Sequence, residues 1–220
     1  MNYQVEIKRT WRFALNFPAL FLVSLGPGVL FALAFRVTWV ARPFWVSRFL
    51  HMGSGIFFLL TGLFLSFLVL GFLTVIAWDF KFRGAVDWRR GFQLLTRRFS
   101  NVLLAALILS LLVGFFSMWF IFTGFIFAFL LMFTMPALVI DSEDPFGALR
   151  VSFQMAMENL GENFVFGIIS IFFLLAGYLL MWAFGFAPFV GFFMQIITAA
   201  GLLTFLSLLL GRYYLSLTRY

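Results

Sequence analysis

The chain has 220 residues, of which 64% are hydrophobic and only 10% charged, and its mean hydropathy is +1.09. A water-soluble globule holds an apolar share of about 45–50%, so the composition excludes one and demands an integral membrane protein. The net charge of +7 reads as membrane topology and contact with anionic lipid rather than nucleic-acid binding, and the lack of Cys excludes disulfides, thiolate nucleophiles and cysteine metal sites.

The N-terminal segment carries Glu6, Lys8, Arg9 and Arg12, after which residues 13–35 form an uncharged run of 23 residues. That length spans a bilayer, which needs about 20. Lys8 and Arg9 ahead of the run and Ala32-Leu33-Ala34 near its end also resemble a signal peptide, but the run is long for a signal core, and we expect a retained span. Pro27, between Gly26 and Gly28, should kink or break that helix, either as a packing feature or as part of a binding site. Arg36, Arg42 and Arg48 then interleave with Trp39 and Trp45 around His51, which is expected of an outer interfacial segment contacting lipid headgroups or a partner.

Residues 52–78 form the second uncharged run, and six of the 15 basic residues crowd into the connection after it. Within that connection Asp87 can cap a surface helix in which Trp88, Phe92, Leu95 and Phe99 repeat at helical spacing, with Arg89, Arg90, Arg97 and Arg98 on the other side. The next 42 residues, 99–140, hold no charge, and this is twice the length of one span. They read as a hairpin turning within Ser117–Gly124, with Pro136 bending its exit.

An acidic turn at Asp141–Asp144 leads into a second surface helix capped by Asp144, with Pro145 at its first position and Leu149, Phe153, Met157, Leu160 and Phe164 along one face. A further 49 uncharged residues, 163–211, make the last hairpin, with its turn at Gly185 and Pro188. Six spans result, and the positive-inside bias puts both termini in the cytoplasm, since 12 of the 15 basic residues fall on that side.

The two surface helices superpose when Phe92-Gln93 is set over Phe153-Gln154, and the N-terminal segment offers a fainter third copy. The expected fold is therefore all-α: a six-transmembrane-helix bundle in one membrane domain, 1–220, made of surface-helix plus hairpin units at about 1–78, 79–140 and 141–220. Pro136-Ala137-Leu138-Val139-Ile140, the acidic turn and Ala148-Leu149-Arg150-Val151-Ser152 resemble a loose group of bacterial six-span membrane proteins. That group includes the membrane domain fused ahead of some glycerophosphoryl diester phosphodiesterases. The resemblance implies the fold and a bacterial inner membrane. It implies no common activity, and the soluble phosphodiesterase domain has no counterpart here.

No Asp, Glu, Lys or Arg falls inside an expected span, so the usual marker of ion pathways is absent. Gln195 is the one amide well inside the last hairpin and is expected to make an interhelical hydrogen bond. A single His excludes a bis-His haem or a three-His zinc site, though His51 could supply one axial ligand. Glu143, Asp144, Glu158 and Glu162 could hold a cation, yet capping and ion pairing account for them more simply.

We therefore expect no enzyme and no cofactor, but an accessory or scaffold subunit contacting anionic lipid and a protein partner. The expected contact residues are Arg36, Trp39, Arg42, Trp45, Arg48, Trp88, Arg89, Arg90, Arg97 and Arg98. The alternative is a small transporter or substrate-capturing component for a lipid or amphiphile, with Pro27 and Gln195 lining its site.

Overall fold

A computed structural model describes residues 3–40, 45–119, 121–141, 144–187 and 189–218, with side chains within these except at 38–52 and 118–122. The chain forms α1 (Tyr3–Asn16), α2 (Ala19–Val23), α3 (Leu25–Val40), α4 (Trp45–Arg83), α5 (Trp88–Arg97), α6 (Phe99–Trp119), α7 (Ile121–Leu130), α8 (Thr134–Ile140), α9 (Pro145–Glu158), α10 (Leu160–Phe184) and α11 (Phe189–Leu217). No strand occurs among the described residues. The protein is an all-α helical bundle in which five stretches are long and apolar enough to cross a membrane: Gly53–Arg83, Phe99–Ser117, Thr123–Ile140, Leu160–Phe184 and Phe189–Leu217.

The expected first span is corrected. Residues 13–35 do not form one helix but are shared among α1, α2 and α3. Pro18 ends α1 because its ring disfavours helical backbone at the residue before it and collides with a carbonyl one turn back. The second break comes at Ser24, three residues upstream of Pro27, so Pro27 lies in the first turn of α3, where its missing N–H costs nothing. Pro136 acts in the same way. It is the third residue of α8, and the chain leaves helical geometry at 131–133, before the proline rather than at it.

Two of the breaks meet a hydroxyl from another helix. Ser152 of α9, fully buried, accepts from the Phe133 N–H at 3.1 Å and donates to the Leu130 carbonyl at 3.0 Å. At the other break the buried Thr204 of α11 donates to Ser24 Oγ at 2.7 Å. In lipid an unpaired backbone group has no water to turn to, so Ser152 makes the α7–α8 break tolerable, while the Thr204–Ser24 bond ties α11 to the α2–α3 break through side chains alone.

α4 holds 39 residues, about 58 Å at 1.5 Å per residue, which is longer than a bilayer core is thick. Asp79, Lys81 and Arg83, expected in a connection, belong to this helix. α4 ends at Gly84, whose φ of 68° is the left-handed closure that favours glycine. α4 and α11 form the centre: α4 packs against α3, α6, α8 and α11, and α11 also packs against α3 and α10. Gly28 makes this possible, because a Cβ there would stand 3.1 Å from both the Ile196 carbonyl and the Ala200 nitrogen of α11. The glycine-flanked Pro27 segment is thus a site of close helix packing.

The shorter helices are laid on the bundle in a cyclic order, α5 on α4, α9 on α8 and α1 on α11. Of these, α5 and α9 turn small residues inward. Ala148, Ser152 and Ala156 are the buried line of α9, while Phe146, Phe153, Met157 and, beyond the helix end, Leu160 and Phe164 are exposed. In α5 the buried residue is Gly91, which meets Phe72 and Ile76 of α4, and Phe92 is exposed.

Candidate functional site

Nearly all charged side chains that the structure describes gather at one end of the bundle, where α1, α4 and α11 meet. Glu6 accepts from Arg9 at 3.1 Å and from Arg212 at 3.0 Å, and Lys81 donates to the Leu215 carbonyl at 2.8 Å. Lys81 thereby caps the last turn of α11. A cavity of about 350 Å³ opens among Glu6, Arg9, Lys81, Arg212 and Ser216. Three cations around one carboxylate leave a positive field there, suited to an anionic headgroup or phosphate.

Beside it Asp79 is fully buried and lies 2.9 Å from Arg90 Nη1, whose guanidinium also sits 4.6 Å from the Trp78 ring centre. The pair is a close charge contact without the alignment of a hydrogen bond. Arg98 donates to the Leu138 carbonyl at 3.0 Å at the end of α8, and Tyr214 donates to Asp141. Asn163, also fully buried, donates to the carbonyls of Met155 and Ala156 and accepts from Tyr213 at 2.6 Å. Tyr3 donates to the Glu162 carbonyl at 2.8 Å. Burial lifts the Tyr3 hydroxyl above the usual phenol range; its bond with Tyr213 works the other way, and the Glu162 carboxylate adds to the rise.

At the opposite end Arg36 of α3 meets Gln195 of α11. Arg36 Nε donates to Gln195 Oε1 at 2.9 Å, Arg36 Nη2 to the Ala187 carbonyl at 3.1 Å, and Gln195 Nε2 to the Met181 carbonyl at 2.8 Å. The guanidinium also lies 5.2 Å from the Phe192 ring centre. Arg36 and Gln195, expected in separate roles, form one clamp across the α10–α11 turn. Gln195 lies seven residues into α11, close to that turn.

The other expected contact residues divide into groups. Arg89 and Arg97 are exposed, Trp88 is half-buried against Phe72, and Arg90 and Arg98 are engaged inside the protein. Arg42 and the side chains of Trp39, Trp45, Arg48 and His51 lie outside the described residues. Asp144 caps α9 through the Gly147 N–H and Glu158 accepts from Gln154, whereas Glu143 lies outside the described residues. Among the described residues no three His, Asp or Glu side chains are placed to share a metal ion.

The sequence gives Asp79, Ser152, Asn163 and Tyr213 no role in a site. For Asp79 a signal existed, since the buried line Phe72, Val75, Ile76 continues to it at helical spacing. For Ser152 of α9 and Asn163 in the first turn of α10, nothing local distinguishes them from neighbouring polar residues. Compared with protein-family models, curated proteins and solved structures, the chain matches none of them.

Proposed function

We propose that the chain is a non-catalytic accessory or scaffold subunit of a bacterial inner membrane, resting on anionic lipid and carrying a protein partner at its basic end. One observation carries this reading. α5 turns Gly91 against α4 while Phe92 and the two arginines Arg89 and Arg97 stay exposed, so an apolar and basic surface is presented away from the bundle. That combination is the physical requirement for docking at a headgroup layer.

The same reading counts the α2–α3 rod as a sixth crossing, since it lies antiparallel beside α4, with Gly26 near Leu65 and Gly62 near Phe31. It places both termini in the cytoplasm by the positive-inside bias. It also treats the chain as three units of surface helix plus hairpin, near 1–78, 79–140 and 141–220, with the first boundary moved to the turn at Gly84.

The test uses the full chain in nanodiscs formed directly from its native membrane. R89E/R97E should retain fewer anionic lipids, counted by mass spectrometry, and should lose a partner that co-purifies with the unaltered protein in fixed stoichiometry. Unchanged lipid and partner content in the folded variant would overturn the proposal.

A further inference from the structure

The three hairpins close against one another at two seams and stand apart at the third. α3 packs along α11 and α6 along α4, each joining the first rod of one hairpin to the second rod of another. The corresponding pair is α10 with the α7–α8 rod, and these do not pack along each other; α10 rests on α11 and the end of α9. α10 is accordingly the least buried of the five long apolar stretches, at 22% against 39–56% for the rest. Across the seam the ring edges of Phe125 and Phe129 reach toward Gly167, where a Cβ would stand 3.4 Å from Phe129.

Two adjoining cavities of about 260 and 200 Å³ lie in this seam and share Phe125, Phe129 and Gly167. The larger reaches inward to α4 and α11, and its apolar wall is interrupted by three serines, Ser66, Ser170 and Ser207. Ser66 returns its hydroxyl to the Gly62 carbonyl at 2.7 Å. Ser170 and Ser207 have no hydrogen-bond partner among the described residues, although Ser207 is only 3% exposed and lines the cavity. Buried hydroxyls are ordinarily paired, so the buried Ser207, left open beside the half-buried Ser170 in one apolar cleft, marks where a ligand's oxygen belongs.

Depth narrows the chemistry. Ser170 lies eight residues beyond Glu162 of α10 and Ser207 five before Arg212 of α11, so they stand about 12 and 8 Å below the charged end along their helices, inside the uncharged part of a core about 30 Å thick. A phosphate or other charge is strongly disfavoured there. At about 260 and 200 Å³ the two cavities are also too small for a partner helix, which is about 10 Å across.

We propose that the open α7–α10 seam is a lateral binding site for one uncharged, single-chain lipid, with its hydroxyl or carbonyl oxygen bonded to Ser170 and Ser207 and its hydrocarbon chain lying against Phe125, Phe129 and Gly167. The site goes beyond the scaffold reading and stands whether or not that reading holds.

The probe is a photoactivatable hexadecanol added to the full chain in phospholipid nanodiscs, with labelled residues located by mass spectrometry. Labelling should fall on the seam-facing residues of α7 and α10 and be displaced by hexadecanol but not by added phospholipid. S170A/S207A should weaken displaceable labelling about tenfold, the worth of one or two net hydrogen bonds, and Gly167→Leu should abolish it. The serine variant, unchanged in size-exclusion profile, keeps the test decisive if the leucine variant misfolds. Labelling spread evenly over the outer face of α10, equal displacement by phospholipid, or insensitivity of the folded serine variant would overturn the site. So would cross-linking of two copies of the chain through cysteines placed at Gly167.

Discussion

Arg98 and Asn159, 61 positions apart in the sequence, hold nearly the same backbone conformation, with φ −120° and ψ 25° at one and φ −115° and ψ 34° at the other. Each ends a surface helix, and the next residue, Phe99 or Leu160, begins a long apolar one. Neither φ is positive, so no glycine is required, and both side chains are available to meet helix-end carbonyls: Arg98 that of Leu138 and Asn159 that of Met155. R98A should therefore destabilise the protein by about 1–3 kcal/mol through the carbonyl it leaves unmet. R97A, one residue away and exposed, should stay within about 0.5 kcal/mol. Thermal unfolding in detergent compares the two, and equal shifts would contradict the cap.

The Asp79–Arg90 pair should respond asymmetrically. Asp79 is fully buried and Arg90 about a quarter exposed, so R90M strands a carboxylate while D79N leaves a guanidinium that still reaches solvent. We expect R90M to cost about 3 kcal/mol, the low end for a broken buried pair, and D79N less. The double variant D79N/R90M should recover part of the loss. A double-mutant cycle on unfolding midpoints reads this, and strict additivity would refute the coupling.

Ser152 serves two backbone groups at the α7–α8 break. S152A should cost about 1–3 kcal/mol because a donor and an acceptor lose their partner in an apolar surrounding. T96A is the matched control, since that exposed hydroxyl only bonds within its own helix. A smaller shift for S152A than for T96A would show that the break is satisfied in another way.

Gly28 and Gly53 should behave oppositely. G28A brings a methyl within 3.1 Å of the α11 backbone, whereas nothing lies within 4 Å of a Cβ at Gly53. Overpacking at the first site should cost about 1–3 kcal/mol. G53A should be neutral or stabilising by about 0.5–1 kcal/mol, as expected for alanine replacing glycine inside a helix. Unfolding midpoints decide, with size-exclusion profiles as a check on association.

Orientation is open to labelling because the chain has no native Cys. Single cysteines at Ala85, in the exposed turn after α4, and at Phe186, exposed between α10 and α11, should react with a membrane-impermeant maleimide from opposite sides. Ala85→Cys should react from the cytoplasm. Labelling of both from one side would contradict the crossing pattern.

The membrane class, the long apolar runs, the caps at Asp87 and Asp144 and the hairpin turns within Ser117–Gly124 and at Gly185 were determined by the sequence alone. Each depends on hydropathy over a span or on hydrogen bonds between neighbours three or four residues apart. Proline positions also announced that helices would break, though not that the break would precede each proline. Only the tertiary structure decided which polar residues face inward. Arg36 and Gln195 are 159 positions apart, Ser24 and Thr204 are 180 apart, and Glu6 and Arg212 are 206 apart. Their pairing depends on which helices adjoin and how each is rotated about its axis. In a chain so uniformly apolar the hydrophobic pattern hardly distinguishes an inward face from one turned to lipid. Small residues at close contacts and hydroxyls at helix breaks supply that distinction, and they become visible once the helices are packed.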